Sequence, residues 1–290
     1  MARANIILDE NAMQTRPALT AFPKVRPLLP EQYARIYQSE YKANRSGVGL
    51  MSWLSQKAES WMHRAVLNSG KRYAGRSSRS LELGAGTLNH LRYETPDPLD
   101  VVEPAHFLLQ ESPLRSKVNA FYDDIGEIDP GMRYDRIYSI AGLEHIADLP
   151  ALVARSALLL ADGGIFQAAI PSEGKFLWWL GWRATTGLSY FLRNRLDYGV
   201  VMRHEHVNDC DEIVAVISEF FLSVTTKRYP TPLAHCSLYQ YVEARRPNVV
   251  RAREYLSAMA SAAVVGPVSA GCGEPTGSAP PSGNTLRQAR

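Results

Sequence analysis

Two spacings of apolar residues alternate along the chain from residue 79 onward. The runs "RSLEL" (79–83), "LDVVE" (99–103), "VNAFYD" (118–123), "YDRIYSI" (134–140) and "GGIFQAAIP" (163–171) have the length and composition of buried strands. Between the last two, "LPALVARSALLLADGG" spaces Leu152, Val153, Ser156, Leu159 and Leu160 along one helical face, and Gly163 and Gly164 end it. A further helix, "DCDEIVAVISEFF" (209–221), opens with acidic residues that suit the helix dipole. Two adjacent strand runs follow, "LSVTTKRYP" (222–230) and "CSLYQYVEARR" (236–246), joined by "TPLAH". The alternation predicts an α/β fold, a parallel sheet with crossover helices closed by an antiparallel hairpin.

Upstream, "PEQYARIYQSEY" repeats Tyr33, Ile36, Tyr37 and Tyr41 at helical spacing. A second helix, "LMSWLSQKAESWMHRAVLNS", gathers Leu50, Trp53, Leu54, Trp61, Met62, Ala65 and Val66 near one face, and Gly70 stops it. Residues 1–29 mix prolines and polar residues without period and are expected to form a flexible arm. From Pro247 the chain forms one more helix, "VVRAREYLSAMASAAVV", and 266–290 is too rich in Gly, Ser, Pro and Ala to bury an ordered core. The expected organisation is therefore an arm (1–29), one domain (30–246), and a short helix with a disordered tail (247–290). Within the domain, 30–70 supplies the N-terminal helices, 78–173 the ligand-binding half, 174–208 an insertion, and 209–246 the final helix and hairpin.

Composition narrows the partners. With 290 residues, 46% hydrophobic, the chain can build a large core, and a net charge of +3 is too mild and too dispersed for a nucleic-acid face. Basic residues outnumber acidic ones between Lys175 and Arg203, which points to an anionic partner or surface nearby. Cys210, Cys236 and Cys272 show no paired spacing, in keeping with free thiols of a reducing cytoplasm. No apolar run approaches the ~18 residues of a membrane span, and Asp9 and Glu10 interrupt what a signal peptide would keep apolar. A cytoplasmic location is expected.

The stretch "LELGAGTLNHL" carries the first candidate chemistry. Gly84 and Gly86 let a ligand approach the backbone, but "GAGTLN" has Asn89 where a dinucleotide fingerprint needs its third glycine, and a P-loop's Gly-Lys-Ser/Thr is absent. Acids stand at successive strand ends: Glu82 on the first, Glu103 on the second, Asp123 and Asp124 on the third. The fourth strand runs into "AGLEHIADLP". Open α/β sheets bind ligands at that edge.

As an ordered set, "LELGAGTLNHL", "LDVVEP", "AFYDDI", "YDRIYSIAGLEHIADLPAL" and "LLLADGGIFQAAIPSEG" resemble the class I S-adenosylmethionine-dependent methyltransferases, over residues 78 to 245. The likeness is to the bacterial small-molecule branch whose fourth-strand loop reads "LEH". Leu88 departs from it, standing where the family has a third loop glycine, and "NHLRYETPDPL" leaves room for only a stub of helix. The resemblance implies a Rossmann-like doubly wound sheet and S-adenosylmethionine as cofactor. It also implies roles for the acids. Glu82 would meet the cofactor's ammonium directly or through water, Glu103 the ribose hydroxyls, and Asp123 or Asp124 the adenine amine. Gly84 and Gly86 would let the ligand lie against the turn, with backbone N–H groups on its carboxylate.

Methyl transfer to a hydroxyl also needs the hydroxyl's proton removed. Glu144 and His145 lie in the loop beside the expected methyl position; histidine titrates near neutrality and is the candidate base, with a packing role as the alternative. "MRHEHVN" returns His204 and His206 to the same edge as candidate acceptor contacts; no acidic or third histidine partner is evident there, and no metal site is expected. The insertion clusters Trp178, Trp179 and Trp182 among Arg183, Arg193 and Arg195. Trp178 and Trp182 would suit a sugar or glycolipid acceptor, a membrane surface, or a lid packed on the core. The expected activity is O-methylation of a small molecule such as a sugar hydroxyl of a polysaccharide, glycolipid or signalling oligosaccharide. Quinone, acyl and secondary-metabolite acceptors, a non-catalytic partner-binding module and a nicotinamide oxidoreductase are the alternatives.

Overall fold

The structure is a computed structural model and describes residues 19–37, 52–71, 78–110 and 112–264. Among the described residues seven strands form one sheet: β1 Ser80–Leu83, β2 Leu99–Val102, β3 Ala120–Tyr122, β4 Tyr134–Ile140, β5 Leu160–Pro171, β6 Phe221–Pro230 and β7 Ser237–Pro247. They lie in the order β3-β2-β1-β4-β5-β7-β6. The first five pair in parallel, and β7 runs antiparallel between β5 and β6. This is the Rossmann-like sheet with a terminal hairpin expected from the strand pattern.

The helices are α1 (31–37), α2 Ser52–Gly70, α3 His106–Gln110, α4 Leu149–Leu159, α5 Phe176–Trp182, α6 Leu188–Asn194, α7 Gly199–Glu205, α8 Cys210–Phe220 and α9 Val249–Val264. Alternation along the strands splits the core in two. Leu81, Leu83, Ile137, Phe166, Ala168 and Val242 pack against α4, α8 and α9 through Val153, Ala157, Ile213, Ile217 and Ala252. On the opposite face Val101, Tyr138, Ala169 and Tyr241 meet Met62 and Val66 of α2, with Leu88 and Leu91.

Three boundaries differ from the sequence reading. The helix expected to run to Gly163 stops at Leu159, because Leu160 already pairs with Tyr134; residues between Leu160 and Ile165 then bulge from the ladder. Asp209 does not begin α8 but caps it, its side chain accepting from the N–H groups of Asp211 and Glu212 while Glu212 reaches back. Residues 19–29, read as part of a flexible arm, are packed onto the domain. Phe22 is buried, the Lys24 N–H donates to the Ala147 carbonyl (2.9 Å), and Lys24 Nζ reaches Glu212 and the Val207 carbonyl. Tyr41, Leu50 and the tail 266–290 lie outside the described residues.

Candidate active site

The glycine turn sits at the carboxyl end of β1. Gly84 (φ +69°) and Gly86 (φ +53°) occupy the left-handed region, where a side chain is disfavoured. A Cβ on Gly84 would stand 3.6 Å from Gly142 Cα, so the β1 and β4 turns approach backbone to backbone. Leu88 shares the left-handed conformation (φ 64°) that the resemblance assigns to glycine. Its side chain is fully buried among the residues under α2, which holds a backbone that leucine rarely adopts.

Glu103 ties the tips of β1 and β2 together. Its Oε2 accepts from the Gly86 N–H at 2.7 Å and its Oε1 from the Ala105 N–H at 2.9 Å. Glu82 points to the α2 face and is 3% exposed, with the Tyr138 hydroxyl 3.4 Å from its Oε2. Burial pushes its carboxyl up to about 8. Beneath it runs a buried ionic layer that sequence reasoning missed. Arg136 donates to Glu94 Oε1 (2.6 Å) and Gln167 Oε1 (2.5 Å), and His90 Nε2 donates to Glu94. Burial opposes ionisation of Glu94, yet these hydrogen bonds and the Arg136 charge hold it down to about 2. Burial also lowers His90, so the neutral ring uses Nδ1 to accept from His63 Nδ1 (3.0 Å). The turn thus rests on a fixed polar floor.

At the β3 tip, Asp123 and Asp124 are both exposed; Asp124 Oδ1 accepts from the Gly126 N–H at 2.7 Å and so shapes the turn.

The β4 loop forms the other half of the site. A single helical turn, Leu143–His145, follows Gly142. His145 Nδ1 donates to the Glu205 carbonyl (2.9 Å), which leaves the lone pair of the neutral ring on Nε2, 3.9 Å from Glu144 Oε1. Glu144 is 2% exposed, and its Oε2 has no hydrogen-bond partner among the described residues. The segment after α7 is stitched to this loop. The Val207 and Asn208 N–H groups donate to the Glu144 carbonyl, and Asn208 Nδ2 donates to the carbonyls of Leu143 and Ile146. Arg26 donates to the His145 carbonyl from the N-terminal segment (2.9 Å).

These contacts bring His206 to His145, with ring centroids 5.0 Å apart. His206 Nδ1 donates to Glu173 Oε2 at 2.9 Å, and Trp178 Nε1 donates to the same oxygen at 2.6 Å. Burial works against a charged His206, but the Glu173 hydrogen bond and the charges of Glu144, Glu173 and Glu205 outweigh it and raise its pKa. Trp178 also meets Tyr239 edge-on. His204 goes elsewhere, donating from Nδ1 to the Pro27 carbonyl and touching Tyr37. Trp182 packs on Tyr198 and Arg183 rather than joining Trp178. The sequence pairs His204/His206 and Trp178/Trp182 therefore divide: His206 reaches the β4 loop at His145, and Trp178 joins His206 through Glu173. Phe176, Trp179, Leu180, Phe191 and Leu192 remain exposed on the insertion. No described helix is long and apolar enough to cross a membrane.

A Rossmann-like sheet with a glycine turn and acids at successive strand tips has the form of a ligand-binding α/β protein, and sequence comparison identifies the family. Residues 52–204, more than half of the chain, match the family described as "Methyltransferase domain". The chain belongs to this family and is a class I S-adenosylmethionine-dependent methyltransferase, with S-adenosylmethionine as its cofactor. No curated protein matches it significantly in sequence. Among solved structures it is similar to the N-methyltransferase NodS from Bradyrhizobium japonicum in complex with S-adenosyl-L-homocysteine (16% identity, 73% of this chain, 98% of that one, TM-score 0.48). It is also similar to an S-adenosylmethionine-dependent methyltransferase from Clostridium acetobutylicum (20%, 51%, 61%, 0.36) and an amino pentose methyltransferase from Micromonospora echinaspora (19%, 50%, 58%, 0.32). The sequence match, not these likenesses, carries the assignment.

Proposed function

We propose that the enzyme O-methylates a small-molecule acceptor, with a sugar hydroxyl of a polysaccharide, glycolipid or signalling oligosaccharide as the favoured class. The observation that carries this reading is the setting of His145. Its Nδ1 is committed to a backbone carbonyl, its Nε2 is left to accept a proton, and its loop abuts the glycine turn through Gly142. An acceptor hydroxyl placed there can pass its proton to His145 as its oxygen attacks, with Glu144 Oε1 3.9 Å from the receiving nitrogen.

The residues present fit the cofactor. The turn at Gly84 and Gly86 leaves no Cβ in the way, Glu103 presents a carboxylate fixed at the β2 tip, and Ser139 Oγ, buried beside Gly142, has no partner among the described residues. Glu103 would hold the ribose and Asp123 or Asp124 the adenine amine, and Glu82, kept protonated by burial in the unliganded chain, would ionise against the arriving ammonium. When bound, S-adenosylmethionine supplies an electrophilic methyl group, so the chain's own work is positioning and proton removal. Trp178, fixed by Glu173 beside His206, offers an aromatic wall for a sugar face. Arg183 lies over Trp179 on the exposed side of the insertion, where an anionic glycolipid or membrane surface would meet it. Free Cys210 and Cys236 fit a reducing cytoplasm.

The test is incubation with isotope-labelled cofactor and an extract of bacterial glycans and glycolipids, followed by mass spectrometry. Label on a glycan hydroxyl oxygen is expected. Label confined to nitrogen, carbon or nucleic acid would end the O-methylation reading.

A further inference from the structure

We infer that Glu144, His145 and His206 form a binding site for a divalent ion of the zinc class. One ligand atom from each lies within 4.8 Å of the other two. Ordinary zinc–ligand lengths of about 2.0–2.2 Å put tetrahedral ligand atoms roughly 3.4 Å apart, so these atoms must close by up to about 1.4 Å, and the loops that carry them are already stitched together through Val207 and Asn208.

Three further observations point to a cation. Each histidine commits one ring nitrogen to a hydrogen bond, His145 Nδ1 to the Glu205 carbonyl and His206 Nδ1 to the Glu173 carboxylate. That arrangement orients metal-binding imidazoles and fixes Nε2 as the ligand atom. Glu144 is 2% exposed with Oε2 unpartnered among the described residues, although its other oxygen is only 3.9 Å from His145 Nε2. An ionised carboxylate so buried is costly unless a cation compensates it. Glu173 adds a second carboxylate behind His206.

The donor set selects the ion. Two imidazoles and one carboxylate suit zinc and its first-row neighbours, whereas calcium and magnesium prefer an all-oxygen shell. Three protein ligands leave a position open for water or an acceptor oxygen. The ion's part in catalysis rests on the methyl-transfer reading above, but its binding does not. With an ion bound, Glu144, His145 and His206 would be its ligands and it would supply Lewis acidity toward an acceptor oxygen; in the metal-free chain His145 Nε2 remains the proton acceptor.

The test uses the full chain without a histidine tag, stripped with chelator and titrated with Zn²⁺ alone. One ion retained per chain after dialysis is expected. Glu144→Gln and His206→Ala should weaken binding by roughly a hundredfold or more, and Glu173→Gln by about 10–100-fold. His204→Ala should leave it unchanged. Circular dichroism checks that each variant folds. Wild-type protein loaded with Co²⁺ gives a reading independent of any variant, with the intense visible bands of a four- or five-coordinate ion expected. Absence of stoichiometric zinc, equal retention in all variants, or only the weak bands of hydrated Co²⁺ would overturn the site. S-adenosylmethionine titration of the same sample separates the two ideas: cofactor binding without zinc removes only the ion, and zinc without cofactor binding removes only the methyl-transfer reading.

Discussion

The two halves of the site are built on different terms. At the β1–β2 end nearly every polar group already has a protein partner. Glu103 holds two backbone N–H groups, and Glu94 holds Arg136 and His90. At the β4 end the groups converge but stay partly unpaired: Glu144 Oε2 and Asn208 Oδ1 are buried without hydrogen-bond partners among the described residues. A prebuilt cradle suits an invariant cofactor, because fixed donors and acceptors need no reorganisation when it arrives. Unspent capacity at the other end suits the groups that must act on an acceptor or hold an ion.

If that contrast is right, damage to the first half should appear in stability and cofactor affinity, and damage to the second in turnover. The largest effect is expected from Arg136→Ala. It leaves the half-buried Glu94 with His90 but without its guanidinium, and breaking a buried ion pair costs about 3–5 kcal/mol. Denaturant unfolding should show a loss of that size; a change under about 1 kcal/mol would mean the ionic layer is not structural. Replacing His145 with Ala should slow turnover by roughly a hundredfold or more while cofactor affinity stays within about twofold. Normal turnover would remove its role in activating the acceptor.

A pH-dependent effect belongs to the floor of the cradle. Glu82 is raised from an ordinary value of 4.5 to about 8. Its contribution to stability is therefore complete below 4.5 and lost as pH rises toward 8, because the unfolded chain ionises first. Glu94, lowered from 4.5 to about 2, works in the opposite sense: its contribution is present above 4.5 and lost as pH falls toward 2. Glu82→Gln should flatten the decline in stability between about pH 4.5 and 8 and leave the acid limb in place. A decline of unchanged slope in the variant would assign it to another group.

The same contrast explains what the chain discloses before it folds. The cradle is local in sequence: Glu82, Gly84 and Gly86 fall within five residues, and the buried strands around them are continuous apolar runs. The β4 end is not. Glu144 and His145 meet Glu173 and His206 only because β5 and the insertion fold back, and nothing in "PSEG" marks Glu173 as the partner of a histidine 33 residues on. The "HEH" spacing misleads for a physical reason. Helix α7 ends at Glu205, so His204 stays on the helix facing Pro27 while His206, in extended backbone, turns to the loop. The ionic layer escaped notice because Arg136 and Glu94 come from segments whose polar residues look solvent-facing in isolation.

The central claim is that S-adenosylmethionine lies across the tips of β1 and β2 with Glu103 fixing both the ligand and the turn. Calorimetric titration of the wild type and Glu103→Ala with S-adenosylmethionine tests it directly. Loss of a charged hydrogen bond, about 1.5–3 kcal/mol, predicts stoichiometric binding by the wild type and at least roughly tenfold weaker binding by the variant. Equal affinities in the two proteins would contradict the account.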